Sequence, residues 1–210
     1  MLLGTIDTIR RYPVKGLGGD SLDATEIVED GIPGDRAARL VVESGHARVG
    51  RAYRGMDDEG LHLTSGIDEA IAMARERGVA LRAENGERYH DDGAISLIVD
   101  RWLDDLSAHI GYAVEPERFR PNFLAKAAPE FSLREIDLIG KTLEIGSTQL
   151  TVRKTISRCV TITYDPQGGP ADARILRFVA QERNAIMGVY CDVLRTGTAR
   201  RGDSVRLVER

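Results

Sequence analysis

The chain carries two thiols, Cys159 and Cys191, and their surroundings differ. Cys159 sits in Ser157-Arg158-Cys159-Val160-Thr161, with Lys154 shortly upstream. Cations beside a thiol favour its thiolate, the form that ligates a soft metal or attacks an electrophile. The β-branched residues that follow predict a strand over Val160–Thr163, which puts the cysteine at a strand mouth just after a turn. A buried structural cysteine is the competing reading, and the local sequence does not choose between them. Cys191 lies in Gly188-Val189-Tyr190-Cys191-Asp192-Val193-Leu194, an apolar strand pattern with no neighbouring cation, and reads as structural.

Three further segments carry groups suited to an anion. Tyr12-Pro13-Val14-Lys15-Gly16-Leu17-Gly18-Gly19 is a glycine-rich loop after a strand, where backbone N–H groups and Lys15 can approach a negative ligand. It lacks the phosphate-loop spacing Gly-x-x-x-x-Gly-Lys-Ser/Thr, and a plain turn with a solvated lysine explains it equally. Gly31-Ile32-Pro33-Gly34-Asp35-Arg36 reads as a tight turn with Arg36 opening the next strand, either paired in the neighbourhood of Asp35 or facing a pocket. In Arg118-Phe119-Arg120-Pro121-Asn122-Phe123, strand alternation would set Arg120 and Asn122 on one face, where two donors suit a phosphate or a heterocycle edge. A solvent-facing edge strand is the alternative. His46, His62, His90 and His109 show no metal-ligand spacing, no Gly-x-Ser-x-Gly elbow occurs, and Asp91-Asp92 and Asp104-Asp105 read as solvated charges.

The elements that must position these groups are mostly short strands between glycines. They fall at Leu3–Arg10, Ala24–Val28, Ala37–Glu43, Val79–Ala83, Phe119–Leu124, Thr142–Ile145, Gln149–Arg153, Val160–Thr163, Gly188–Arg195 and Ser204–Val208. Asn85-Gly86 and Gly146-Ser147 carry hairpin chemistry. Helical periodicity predicts Ile67–Arg77 stopping at Gly78, Ser96–Ile110 stopping at Gly111, and Asp172–Arg183 with Asp172 as its N-cap. A soft boundary near Val114–Arg118 divides the chain into units 1–114 and 115–210, closely packed. A net charge of −4 over 210 residues gives no general attraction to nucleic acid or an anionic membrane. No run approaches the length of a membrane span, the first residues turn polar too soon for a secretory signal, and two cysteines are too few for a disulfide framework or an iron–sulfur cluster. A cytoplasmic protein is the expectation.

Taken in order, these segments resemble the molybdenum-cofactor sulfurase C-terminal (MOSC) domain family. The likeness rests on Tyr12-Pro13-Val14-Lys15 before glycines, Gly31 to Arg36, Phe119-Arg120-Pro121-Asn122, Ile139-Gly140-Lys141-Thr142-Leu143-Glu144-Ile145-Gly146, Arg158-Cys159, Gly188-Val189-Tyr190 and Gly197 to Asp203. The resemblance implies a mainly β fold: a MOSC-type β-barrel with an N-terminal β-barrel-like half and about three short helices. In the amidoxime-reducing branch it implies that Cys159 ligates molybdenum, with Lys15, Gly16, Arg36, Arg120, Asn122 and Arg158 around the pterin and phosphate of the molybdenum cofactor. The chain departs from that branch at Gly16 (a Ser there), at Ser157 (a Pro) and near Arg101-Trp102 (a Ser contact). The implied function is an oxidoreductase acting on N-oxygenated or similar small molecules. Electrons would come from a separate donor protein, ferredoxin-like, cytochrome b5-like or a flavin reductase. A carrier of molybdenum cofactor or persulfide sulfur on Cys159 is the alternative, and a non-catalytic interaction module the third. Pyridoxal phosphate would need a Schiff-base lysine; Lys15 is its one candidate and has no supporting partner.

Overall fold

A computed structural model describes residues 1–86, 89, 90 and 92–208 of the chain. Its strands, in chain order, are β1 (Leu2–Arg11), β2 (Asp20–Leu22), β3 (Ala24–Ile27), β4 (Ala38–Ser44), β5 (Ala80–Asn85), β6 (Ile95–Val99), β7 (Phe123–Ala127), β8 (Thr142–Ile145), β9 (Thr148–Ser157), β10 (Ile186–Arg195), β11 (Gly197–Arg200) and β12 (Ser204–Val208). The helices are α1 (Ile67–Glu76), α2 (Asp104–Ile110) and α3 (Ala173–Glu182). The order β12-β8-β9-β10-β6-β7-β1 closes through a β1–β12 pairing, giving a seven-stranded barrel with β2 appended to β1. Every pairing is antiparallel except β6–β7. Closure removes the free edges that short strands would otherwise expose. Among the described residues no helix is long and apolar enough to cross a membrane.

Two hydrophobic cores form. The larger fills the barrel, from Leu3 to Val205, and takes in Trp102 and Phe131. The smaller joins Val14, Leu17, Leu40, Tyr53, Leu61, Ala70 and Ala74 beneath the β4–β5 sheet and α1.

The β8–β9 hairpin forms at Gly146-Ser147 as its chemistry predicts, with Ile145 opposite Thr148 and Gly146 at φ +56°, the type II′ pattern. Asp172 caps α3 by accepting from Arg174 N–H at 3.0 Å. Four expectations change. The stretch expected as a helix over Ser96–Ile110 opens as the fully buried central strand β6, followed by a 3-10 turn (Asp100–Leu103) and only then α2. A continuous apolar run reads equally as a buried strand or a buried helix, and pairing with β10 and β7 decides it. Val160–Thr163 is a 3-10 turn rather than a strand, tied by Thr163 Oγ1 donating to Val160 O at 2.8 Å. Phe119 ends another 3-10 turn, Arg120 is left-handed at φ +52°, and β7 starts only at Phe123. Asn85-Gly86 closes no hairpin among the described residues: β5 pairs with β4, and the chain leaves for the barrel; Glu87, Arg88 and Asp91 lie outside the described residues.

One buried ion pair fixes how α3 and β10 meet the barrel end. Arg183 donates from Nη2 to both oxygens of Glu135, at 2.7 and 2.8 Å, and Gly188 N–H also points to Glu135 Oε1 at 3.4 Å. Side chains only 4% and 5% exposed leave no water to replace a lost partner. Glu135→Ala should therefore cost about 3–5 kcal/mol in urea unfolding. Asp192→Asn, which breaks a pair whose side chains are 50% and 51% exposed, should cost under about 1 kcal/mol.

Asp172 supplies a pH signature. Hydrogen bonds from the Arg174 side chain, then the Arg174 N–H and the Tyr112 hydroxyl, hold its pKa down to about 2 against burial. A depressed folded-state pKa contributes stability that is present above the ordinary carboxyl value and is lost as pH falls through the folded one. Asp172→Asn keeps a capping side chain but loses the charge. It should cost about 1 kcal/mol near neutrality, discounted because Arg174 is half exposed, and the gap should close by about pH 2.

Candidate functional site

The loops at one end of the barrel and the edge of the smaller core enclose a cleft of about 750 Å³. Lys15, Gly16 and Arg36 reach it from the first half of the chain, and Arg120, Arg158 and Cys159 from the second. Asn122 does not reach the wall. It is 1% exposed and lies just behind, with Oδ1 accepting from Ser96 N–H (3.0 Å) and Ser96 Oγ (2.9 Å) and Nδ2 donating to Arg10 O (3.1 Å). Its Oδ1 also accepts from Arg36 Nη1 at 3.4 Å, so it supports an arginine that faces the cleft. The shared strand face expected for Arg120 and Asn122 does not exist, because the left-handed turn at Arg120 sends the two side chains apart.

The cleft inverts the charge of the whole molecule. Among the described residues, eight cations line it (Arg10, Lys15, Arg36, Arg54, Arg118, Arg120, Lys154 and Arg158) against three acids, Asp92, Glu115 and Glu117. Each acid is taken by a cation: Glu117 by Arg10 (2.8 Å), Glu115 by Arg118 (2.8 Å) and Asp92 by Lys154 (2.6 Å). Arg36 is paired as well, with the buried Asp35 behind it.

The most ordered part of the cleft is built on Tyr12, at the end of β1. The Arg120 guanidinium lies 4.2 Å and that of Arg36 5.1 Å from the Tyr12 ring centre, and the ring is 3% exposed. Burial pushes the Tyr12 phenol above its ordinary value despite the pull of Arg120 and Arg36, so the platform stays neutral. Asp35, with no exposed surface, accepts the Tyr12 N–H at 2.7 Å and pairs with Arg36. Arg120 donates to Leu17 O, which ties it to the glycine loop. Lys15 N–H donates to Ala38 O at 2.8 Å, and Gly16 follows at φ +93°, a conformation costly for any residue with a Cβ. Serine at Gly16 would be strained in this backbone.

Cys159 caps the Val160–Thr163 turn at the far side of the cleft, exposed, its Sγ 3.2 Å from Thr161 Oγ1. Arg158 sits behind it. Nε donates to Met187 O (2.7 Å), Nη1 donates to Phe119 O (2.8 Å), and Nη2 is enclosed with no hydrogen-bond partner. Burial lowers its pKa to about 10, which leaves it charged at neutral pH. Cys191 has no exposed surface, and burial pushes its thiol up to about 12, so only Cys159 can meet a ligand. Trp102 packs in the large core and donates to Leu133 O at 2.9 Å.

The pairing of Arg36 with Asp35, one of two readings the sequence left open, is present. Sequence reasoning passed over three contributors. Tyr12 stood in the loop chosen for Lys15, and only its burial reveals its role. Arg118, 5% exposed, donates to Thr163 O (3.1 Å) and Tyr164 O (2.7 Å) and so clasps the turn that carries Cys159. His62 stacks on Tyr164 with ring centres 6.0 Å apart; nothing in the spacing of four histidines signals that.

This arrangement can hold a multiply charged anion and present a thiol to it. Pyrophosphate should raise the thermal midpoint of the protein, with an effect that weakens as salt rises. Arg120→Ala should weaken pyrophosphate binding by about tenfold or more in calorimetric titration, the size of one charge-assisted contact. An undiminished affinity in that variant would remove Arg120 from the anion surface.

The MOSC domain model matches residues 85–206. Among solved structures, the YuaD protein from Bacillus subtilis superimposes with a TM-score of 0.56 at 16% identity, covering 97% of this chain and 94% of that one. A second structure, of a hypothetical protein, gives 0.53 at 13% identity, covering 100% of this chain and 70% of the other. At these identities the likeness is one of fold. No curated protein matches the chain in sequence. The family model covers more than half of the sequence, from the end of β5 to β12, and includes Arg120, Arg158 and Cys159: the chain belongs to the MOSC domain family.

Proposed function

We propose that this protein binds molybdenum cofactor in the cleft, with Cys159 as its metal ligand, and reduces small N-oxygenated molecules using electrons from a separate donor protein. The observation that carries this reading is that one exposed thiol shares a single cleft with Lys15, Arg36, Arg120 and Arg158. A pterin cofactor bearing a phosphate and a thiophilic metal needs both at once, and the family is associated with that cofactor. The residues present fit it. Arg36 and Arg120 on the Tyr12 platform, with Lys15 and the glycine loop, suit the phosphate and the flat pterin. The enclosed positive charge of Arg158 stands behind the thiol that would hold the metal as thiolate.

When bound, the cofactor supplies the redox chemistry that side chains lack. The chain's own contribution is to bind and orient. Arg118 fixes the Cys159 turn, Asp35 and Asn122 hold Arg36, and the acids among the described wall residues are paired with Arg10, Arg118 and Lys154. Two cysteines, one of them the buried Cys191, cannot build an iron–sulfur cluster in this chain, which supports a separate donor.

Expression in a host with intact cofactor synthesis tests this. Molybdenum should co-purify with the wild type and with Cys191→Ala, and be lost from Cys159→Ala. Equal metal in the two cysteine variants would sink the assignment. The loaded protein should be silent with reduced pyridine nucleotide alone and should turn over a benzamidoxime-type substrate with reduced viologen. A loaded protein that shows no viologen-driven turnover, and passes its cofactor to an apo-enzyme within minutes, would replace the reductase with a carrier of cofactor.

A further inference from the structure

Of the eight cations that line the cleft among the described residues, all but one are engaged within the molecule. Arg10, Arg36, Arg118 and Lys154 pair with acids. Arg120 and Arg158 donate to backbone carbonyls, and Lys15 is engaged as well. Arg54 is the exception. Its half-buried side chain makes no hydrogen bond, ion pair or ring contact among the described residues. A guanidinium without a partner, set among like charges, is completed by an anion from outside.

The backbone that carries this side chain is held on every side. Arg54 N–H donates to Asp57 Oδ2 at 2.9 Å, and Arg54 O accepts from Asp57 N–H at 2.7 Å and Asp58 N–H at 3.2 Å. Asp58 is 4% exposed, pairs with Arg77 and accepts the Tyr53 hydroxyl at 3.3 Å. The glycine loop lies against one side: a Cβ on Gly16 would sit 3.8 Å from Arg54 Cα. The cysteine turn lies against the next residue. A Cβ on Gly55 would sit 2.9 Å from Thr161 Cγ2, so glycine permits this close approach. Thr161 Oγ1 is in turn 3.2 Å from Cys159 Sγ. Arg54 therefore stands between the loop that carries Lys15 and the turn that carries the thiol.

One guanidinium offers one charge and one planar fork, which match a carboxylate. A phosphate carries more charge, and the Arg36–Arg120 pair on Tyr12 offers more. Lys154 and Arg158 line the cleft as well, but Asp92 holds the first and two carbonyls hold the second. Arg54 precedes residue 85, outside the stretch matched by the MOSC domain model, so this charge belongs to the chain and not to the shared domain.

We propose that Arg54 is a specificity-determining residue: it binds the carboxylate of the molecule brought to Cys159, so that the protein acts on small N-oxygenated acids. That substrate class rests on the reading of Cys159 as the reacting centre. The carboxylate site itself does not, and is testable without cofactor.

The experiment uses the cofactor-free protein and two alkylating reagents of similar size, iodoacetate and iodoacetamide. Cys159 modification is followed by peptide mass at about 0.5 M salt, which screens the general field of the cleft. Each rate is divided by that of glutathione with the same reagent, which cancels intrinsic reactivity. The ratio of the two reagents on one thiol cancels its ionisation, and continued reaction with iodoacetamide shows that the thiol stays accessible in each variant. The ratio of iodoacetate to iodoacetamide should fall about tenfold in Arg54→Gln, the size of one charge-assisted contact. Arg51→Gln removes a charge from the same stretch of chain, at an exposed position outside the cleft, and should leave the ratio unchanged. Pyrophosphate affinity in calorimetric titration should be the same in Arg54→Gln as in the wild type. An unmoved ratio in Arg54→Gln, an equal fall in Arg51→Gln, or a loss of pyrophosphate affinity matching that of Arg120→Ala would each overturn the carboxylate site. A protein whose ratio depends on Arg54 but which retains no molybdenum loses the reductase reading alone. One that retains molybdenum with a ratio indifferent to Arg54 loses the carboxylate site alone.

Discussion

The enclosed guanidinium of Arg158 is the interaction on which the cleft depends. It ties the paired ends of β9 and β10, the latter through the Met187 carbonyl, to the Phe119 carbonyl that ends a 3-10 turn. Burying a charge is costly, and here the cost is visible as a pKa lowered to about 10. Two carbonyls and the Phe119 ring, 5.4 Å from the guanidinium carbon, offset part of it. Gly188 makes the arrangement possible, because a Cβ there would sit 2.9 Å from Leu97 O and 3.1 Å from Arg158 Nη2. The neighbouring Glu135–Arg183 pair, which also holds Gly188 N–H, keeps that backbone where Arg158 needs it.

The same problem, keeping cations near one another without collapse, is solved differently on the opposite wall. Arg36 and Arg120 adopt left-handed backbone at φ +48° and +52°, two of only four non-glycine residues with positive φ among the described residues. Each such turn costs about 1–2 kcal/mol. Both guanidinia share the Tyr12 ring, and each is tied from behind, Arg36 by Asp35 and Arg120 by Leu17 O. Strain held at two charged positions that face one cleft is a mark of a binding surface; stability alone would have favoured glycine there.

Local chemistry made part of this legible in the sequence. Gly146-Ser147 dictates its hairpin, Asp172 its cap, and the periodicity of α1 its boundary at Gly78. The resemblance implied one site for residues scattered along the chain, and Lys15, Gly16, Arg36, Arg120, Arg158 and Cys159 line one cleft, without Asn122. Illegible were the features decided by tertiary partners. Ile95-Ser96-Leu97-Ile98-Val99 could be strand or helix until β10 and β7 flank it. Asn122 looked like a surface donor because its real partners, Ser96 and Arg10 O, lie 26 and 112 residues away. Val160–Thr163 has strand propensity, but side-chain hydrogen bonds and the Arg118 clasp fold it into a turn. That change matters most, since a turn leaves Cys159 at an exposed cap where a strand would have continued it into a sheet.

The two cores supply different walls of the cleft. The barrel closes on itself and carries the cysteine, Arg118 and Arg158 on its rim. The smaller core, pinned by Leu61, Tyr53 and Leu17, has surplus apolar residues that its few elements cannot enclose, and Met56 and Leu63 are left at the cleft's edge. The glycine loop lies between, with Gly18 N–H donating to Thr64 O at 2.7 Å, so the anion-facing loop and the apolar wall are fixed to each other. A shift of the smaller core would therefore move both walls relative to Cys159 at once.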